Sequence, residues 1–145
     1  MKNEALGFDD GLVEFDVNGK AKIVINPTDA DFFGGIYNAF TELAKRQDAI
    51  EGERKSVDPE RVFEYTRKVS NEMREVIDGV FAPVCNVGSI CAALFGSMNL
   101  YAMAGGLPVW CNFLFAVMDK ADVSIAVEQK LTDPAIKKYT KRYHR

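Results

Sequence analysis

Residues 58–80, DPERVFEYTRKVSNEMREVIDGV, decide the fold. Asp58 supplies a side-chain oxygen for the first free backbone N–H groups, Pro59 suits the first helical position, and Glu60 faces the positive end of the helix dipole. Val62, Thr66, Val69, Met73, Val76 and Val80 then recur at alternating intervals of four and three. That repeat puts one apolar stripe along a helix. Glu64, Arg67, Lys68, Glu72, Arg74, Glu75 and Asp78 take the opposite, solvated side. The stripe is either the core-facing side of an amphipathic helix or a seam for a partner helix.

Upstream, Val13 to Val17 alternates apolar and acidic residues, the period-two signature of a half-buried strand. Asn18-Gly19 tolerates the positive φ angles of a tight turn, and Lys20 to Ile25 is rich in β-branched residues. A β-hairpin over 13–25 follows. Two strands alone are marginal in water, so the hairpin lies on a helix or pairs with another chain. Asn26-Pro27 stops the second strand. Thr28 then reads as an N-cap with Asp31 three residues on. Phe32, Phe33, Ile36, Tyr37, Phe40, Leu43 and Ala44 share one face of a helix that fades near Ile50. Residues 1–12 read as a loose arm.

Downstream, Pro83 ends the central helix. Cys85 to Phe95 reads as a short buried helix weakened by Gly88, and 96–106 carries turn signals. Leu107-Pro108 opens another helix, expected to run to about Gln129. Its first half is apolar all round, which places it centrally in a core, a membrane or an oligomer. The expected fold is mainly α (α+β): an N-terminal β-hairpin followed by four or five packed helices. It divides into an arm (1–12), one helical domain (13–131) and a basic tail or short helix (132–145).

The chain has 145 residues, 48% hydrophobic and 27% charged, which suits one globular domain and excludes a disordered or fibrous chain. Its net charge of −3 argues against general polyanion binding, and no nucleic-acid partner is expected. No Asp, Glu, Lys or Arg occurs in residues 79–118, while 119–145 is net basic. Within that block the apolar run Val109 to Met118 is ten residues, against about 20 for a membrane span, so membrane association is not favoured. The first residues include acids where a secretory signal needs an apolar stretch.

Reactive constellations are missing from the sequence. The single histidine, His144, sits in the basic tail, where packing cannot hold it for catalysis. Cys85, Cys91 and Cys111 have no charged residue within six positions and read as buried, inert thiols of a reducing compartment. Three cysteines without a CxxC pair do not make a zinc site. Gly34-Gly35 and Gly105-Gly106 match no phosphate-binding loop. The expectation is a chain that is not an enzyme, with no catalytic residue, metal or cofactor.

Three stretches together carry a resemblance: the hairpin FDVNGKAKIVI (15–25), the helix PTDADFFGGIYNAFTELAKR (27–46) and the apolar segment NLYAMAGGLPVWCNFLFAVMD (99–119). In this order, over about residues 13–130, the chain resembles the small tail assembly chaperones encoded in phages and prophages of Gram-positive bacteria. The resemblance implies a protein of the host bacterial cytoplasm. It would bind the long helical tape-measure protein, keep it soluble during tail assembly and be absent from the finished virion. Some such proteins are made in two lengths by a ribosomal frameshift; Lys137-Lys138 is compatible with a slippery run.

A helical client needs an apolar groove built by helices, and methionine and aromatic side chains adapt to variable partners. Phe63, Met73, Leu100, Tyr101, Met103, Trp110 and Phe113 are the candidates for its lining, with core packing as the alternative for each. A homo-oligomer is a further expected partner. Two other functions compete: a structural phage tail or head-completion protein that adds strands at the hairpin edge, and a membrane-associated protein using the uncharged segment 84–118.

Overall fold

The computed structural model describes residues 1–53, 55–56 and 58–122. Strands β1 (Val13–Val17) and β2 (Ala21–Ile25) form the expected antiparallel hairpin, with Val13 opposite Ile25 and Val17 opposite Ala21. Asn18 and Gly19 have φ of 54° and 67°, values that glycine and asparagine tolerate. The Asp16 carboxylate accepts the Gly19 N–H at 2.9 Å, and the Val17 carbonyl accepts the Lys20 N–H at 3.0 Å. Lys20 is thus an extra residue in the turn.

The hairpin lies on the chain's own helices. The outer edge of β2 bonds the segment after the second helix: Val24 N–H donates to the Val84 carbonyl, and Asn86 N–H to that of Lys22. Ala21, Ile23 and Ile25 are buried, whereas Val13 on β1 is exposed.

Helix α1 (Ala30–Glu53) begins one residue later than the sequence suggests. Asp29, not Thr28, caps it, its carboxylate accepting the Asp31 and Phe32 N–H groups. Thr28 instead donates its hydroxyl to Asn26. Aspartate caps at least as well as threonine, so the choice between neighbours falls to how Asn26 folds the preceding turn.

Helix α2 (Pro59–Phe81) starts as expected, with Asp58 accepting from Glu60 N–H at 3.0 Å. Its buried stripe runs through Val62, Val69, Ser70, Met73, Ile77 and Phe81. Beyond Met73 the stripe is therefore turned by one residue from the Val76 and Val80 positions expected from the repeat. Those two are half-buried flanks. The physical reason is aromatic: Phe81 is fully buried against Phe32 and Phe113, with ring centroids 5.8 and 4.9 Å away. Burying phenylalanine removes far more apolar area than burying valine.

Helix α3 (Ile90–Phe95) is shorter than expected, because Cys85 is drawn into a bridge with Ile23 and Ser89 caps the helix through Ala92 N–H. Residues β3 (Met103–Ala104) and β4 (Leu107–Pro108) make a small hairpin. Gly105 and Gly106 turn it with φ of 63° and 84°. Pro108 therefore ends a strand and precedes helix α4 (Val109–Met118). That helix ends well before Gln129, and Asp122 N–H instead donates to the Pro27 carbonyl at 2.7 Å. The final expected segment, 132–145, and His144 lie outside the described residues.

The fold is α+β: among the described residues, a hairpin followed by four helices. One core joins β2, α1, α2, α3 and α4. Trp110 is its centre, fully buried and edge-on to Phe40 and Tyr101. The uncharged block is explained by this burial: α4 packs on α1, α3 packs on α2, and both enter the one core. Among the described residues, no helix is long and apolar enough to cross a membrane.

Candidate functional site

Helix α2 has two faces with different fates. Met73, Val69 and Ile77 turn into the core, while Phe63 points outward and is 70% exposed. The segment between α3 and β3 approaches that outward side and makes a second wall. Three bonds hold it there. Leu100 N–H donates to the buried Ser70 hydroxyl at 3.0 Å. Asn99 Nδ2 donates to the Thr66 carbonyl at 3.4 Å, and Arg74 Nη2 to the Met98 carbonyl at 2.6 Å.

The gap between helix and segment is an open groove of about 940 Å³. Its apolar surface comes from Val62, Phe63, Met98 and Tyr101. Met98 is 49% exposed. Tyr101 is buried, its hydroxyl donating to the Leu43 carbonyl at 3.3 Å, so it forms a fixed floor. Among the described residues, Arg67 and Arg74 are the charged lining residues, and no carboxylate lines the groove. The site is therefore apolar at its base and positive along one rim.

The seven sequence candidates separate. Phe63 and Tyr101 both line the groove. Met103 is exposed on β3. Met73, Leu100, Trp110 and Phe113 are buried in the core of the isolated chain. Met98, Val62 and the two arginines were not among the candidates. Met98 stands alone among polar residues in Ser97-Met98-Asn99, and an unsupported methionine in a turn was the available signal.

A second polar cluster is structural. Asp78 and Arg74, expected on the solvated side of α2, instead bind the chain that follows. Asp78 accepts from the Ser89 hydroxyl at 2.7 Å and from Cys91 N–H at 3.0 Å, so α2 supplies a carboxylate to the start of α3. Cys91 is fully buried beside it. Burial first, then the negative charge of Asp78 and its hydrogen bond, push the Cys91 thiol far above its usual range; Arg74 opposes this only in part. Such a thiol is a poor nucleophile at neutral pH. Among the described residues, no three His, Cys, Asp or Glu side chains are grouped to hold a metal ion.

Comparison of the chain with protein-family models, with curated proteins and with solved structures gave no match.

Proposed function

We propose that this chain is a tail assembly chaperone that binds the helical tape-measure protein through the α2 groove. The observation that carries this reading is the exposed pair Phe63 and Met98 facing each other across an open, apolar-floored groove. A large exposed aromatic beside an exposed methionine is the kind of surface that receives the apolar stripe of a partner helix. The resemblance of residues 13–130 supplies the client. The positive rim suits a client helix that carries carboxylates beside its apolar stripe. The host bacterial cytoplasm is the compartment this role requires.

Co-expression tests the reading. The tape-measure protein is expected to precipitate alone and to stay soluble with this chain. Phe63→Asp is expected to abolish that protection while the chain itself stays folded. Equal solubility of the tape-measure protein with and without this chain would contradict the proposal.

The outer edge of β1, which pairs only with β2 among the described residues, favours a second reading, a structural tail or head-completion component that joins subunits edge to edge. That reading requires the protein in purified particles; the chaperone reading requires its absence from them.

A further inference from the structure

The groove has a match within the same sequence. Residues 1–12 contain Leu6 and Phe8, exposed by 87% and 80%, beside Glu4, Asp9 and Asp10. Two apolar side chains flanked by carboxylates complement a groove with an apolar floor and an arginine rim. Among the described residues, Arg67 makes no ion pair.

The arm does not reach the groove of its own chain. Asn26 Nδ2 donates to the Asp10 carbonyl at 2.9 Å, which ties the arm beside the start of α1. Gly11 is part of this tie, because a Cβ there would lie 2.8 Å from Asn26 Nδ2. Phe8 is two residues from that anchor, a reach of roughly 7 Å. The start of α1 meets the far end of α2, where Phe32 touches Phe81. From Phe81 back to Arg74, the nearest groove residue of α2, is about 10 Å along the helix, and to Phe63 about 27 Å. An anchored arm whose exposed apolar side chains line no part of its own chain's groove presents them to the groove of a second copy.

We infer that the chain self-associates by placing Leu6 and Phe8 of one copy in the α2 groove of another, with Asp9 and Asp10 facing Arg67 and Arg74. The contact is independent of any client. A tape-measure helix that uses the same groove displaces the arm, so client binding and self-association compete.

Sedimentation velocity on the full chain tests this, with circular dichroism to verify folding. The full chain is expected to associate as concentration rises. Leu6→Asp/Phe8→Asp and Phe63→Asp alter exposed side chains, so both variants are expected to stay folded and to associate at least tenfold more weakly, since each loses burial of one or more large apolar groups. Mixing the two variants joins an intact arm to an intact groove and is expected to restore hetero-association. A full chain that stays monomeric overturns the inference, and so does association unchanged in both variants. Failure of the mixture to associate also overturns it. None of these outcomes involves the tape-measure protein, so the chaperone proposal stands or falls separately.

Discussion

Asp78, near the end of α2, accepts a 2.7 Å hydrogen bond from the Ser89 hydroxyl, at the start of α3. The same carboxylate takes the Cys91 N–H, so one side chain fixes the angle between two helices that are nine residues apart in sequence. With α3 fixed, the segment after it is delivered to the outward side of α2, where it forms the groove.

Removing that carboxylate is expected to loosen the groove wall. Asp78→Ala leaves the Ser89 hydroxyl and the Cys91 N–H without this acceptor. The expected loss is about 1.5–3 kcal/mol, the usual range for a hydrogen bond to a charged group. Denaturant unfolding measures it. Ser89→Ala, which removes one of the two bonds and the side-chain cap, is expected to lose less.

Two residues of α2 are expected to answer differently to the same change. Met73 is in the core, so Met73→Asp buries an unpaired charge and is expected to cost several kcal/mol or prevent folding. Phe63 is exposed, so Phe63→Asp is expected to leave stability within about 0.5 kcal/mol. Thermal melting of the two variants side by side checks this. Equal destabilisation would mean that Phe63 is not a surface group.

This contrast also shows what the sequence discloses. The hairpin follows from alternation and Asn18-Gly19, and the start of α2 from Asp58-Pro59-Glu60, because strand period and capping are local chemistry. The phase of the α2 stripe past Met73 is not local. Val76 and Ile77, then Val80 and Phe81, offer two adjacent stripes, and contact with Phe32 and Phe113 selects the second. The groove is less legible still. Its far wall, Ser97 to Ala102, reaches α2 through bonds to Ser70, Thr66 and Arg74, and no spacing within either segment records them. The chain after α4 likewise bonds a distant carbonyl, Asp122 N–H donating to that of Pro27.

Trp110 anchors the core that the uncharged block builds. It is fully buried against Phe40 and Tyr101, and Trp110→Ala is expected to cost about 3–5 kcal/mol through lost contact and the cavity left behind. Calorimetry of the variant reads the loss directly.

The thiols are expected to sort by burial. Cys85 is half-buried, whereas Cys91 and Cys111 are fully buried, so native-state alkylation should label Cys85 first. Cys91 also gives a sign for pH. Its folded-state pKa is raised by burial and by Asp78, so the folded chain holds the proton more tightly than the unfolded chain does. The resulting stability is complete below the ordinary thiol value of about 8.5 and is lost progressively as pH rises above it. Unfolding free energy is therefore expected to fall from pH 8 to pH 10, and Cys91→Ala is expected to flatten that fall.

The most direct test of the central claim is a paired affinity capture from cells that express the chain with its native neighbours. The tagged chain and its Phe63→Asp variant are recovered in parallel, and the co-purifying polypeptides are identified by mass spectrometry. The expected result is a long, helix-rich tape-measure protein with the unaltered chain and its loss with the variant. Recovery of no such protein, or equal recovery by both forms, would contradict a client-binding groove on α2.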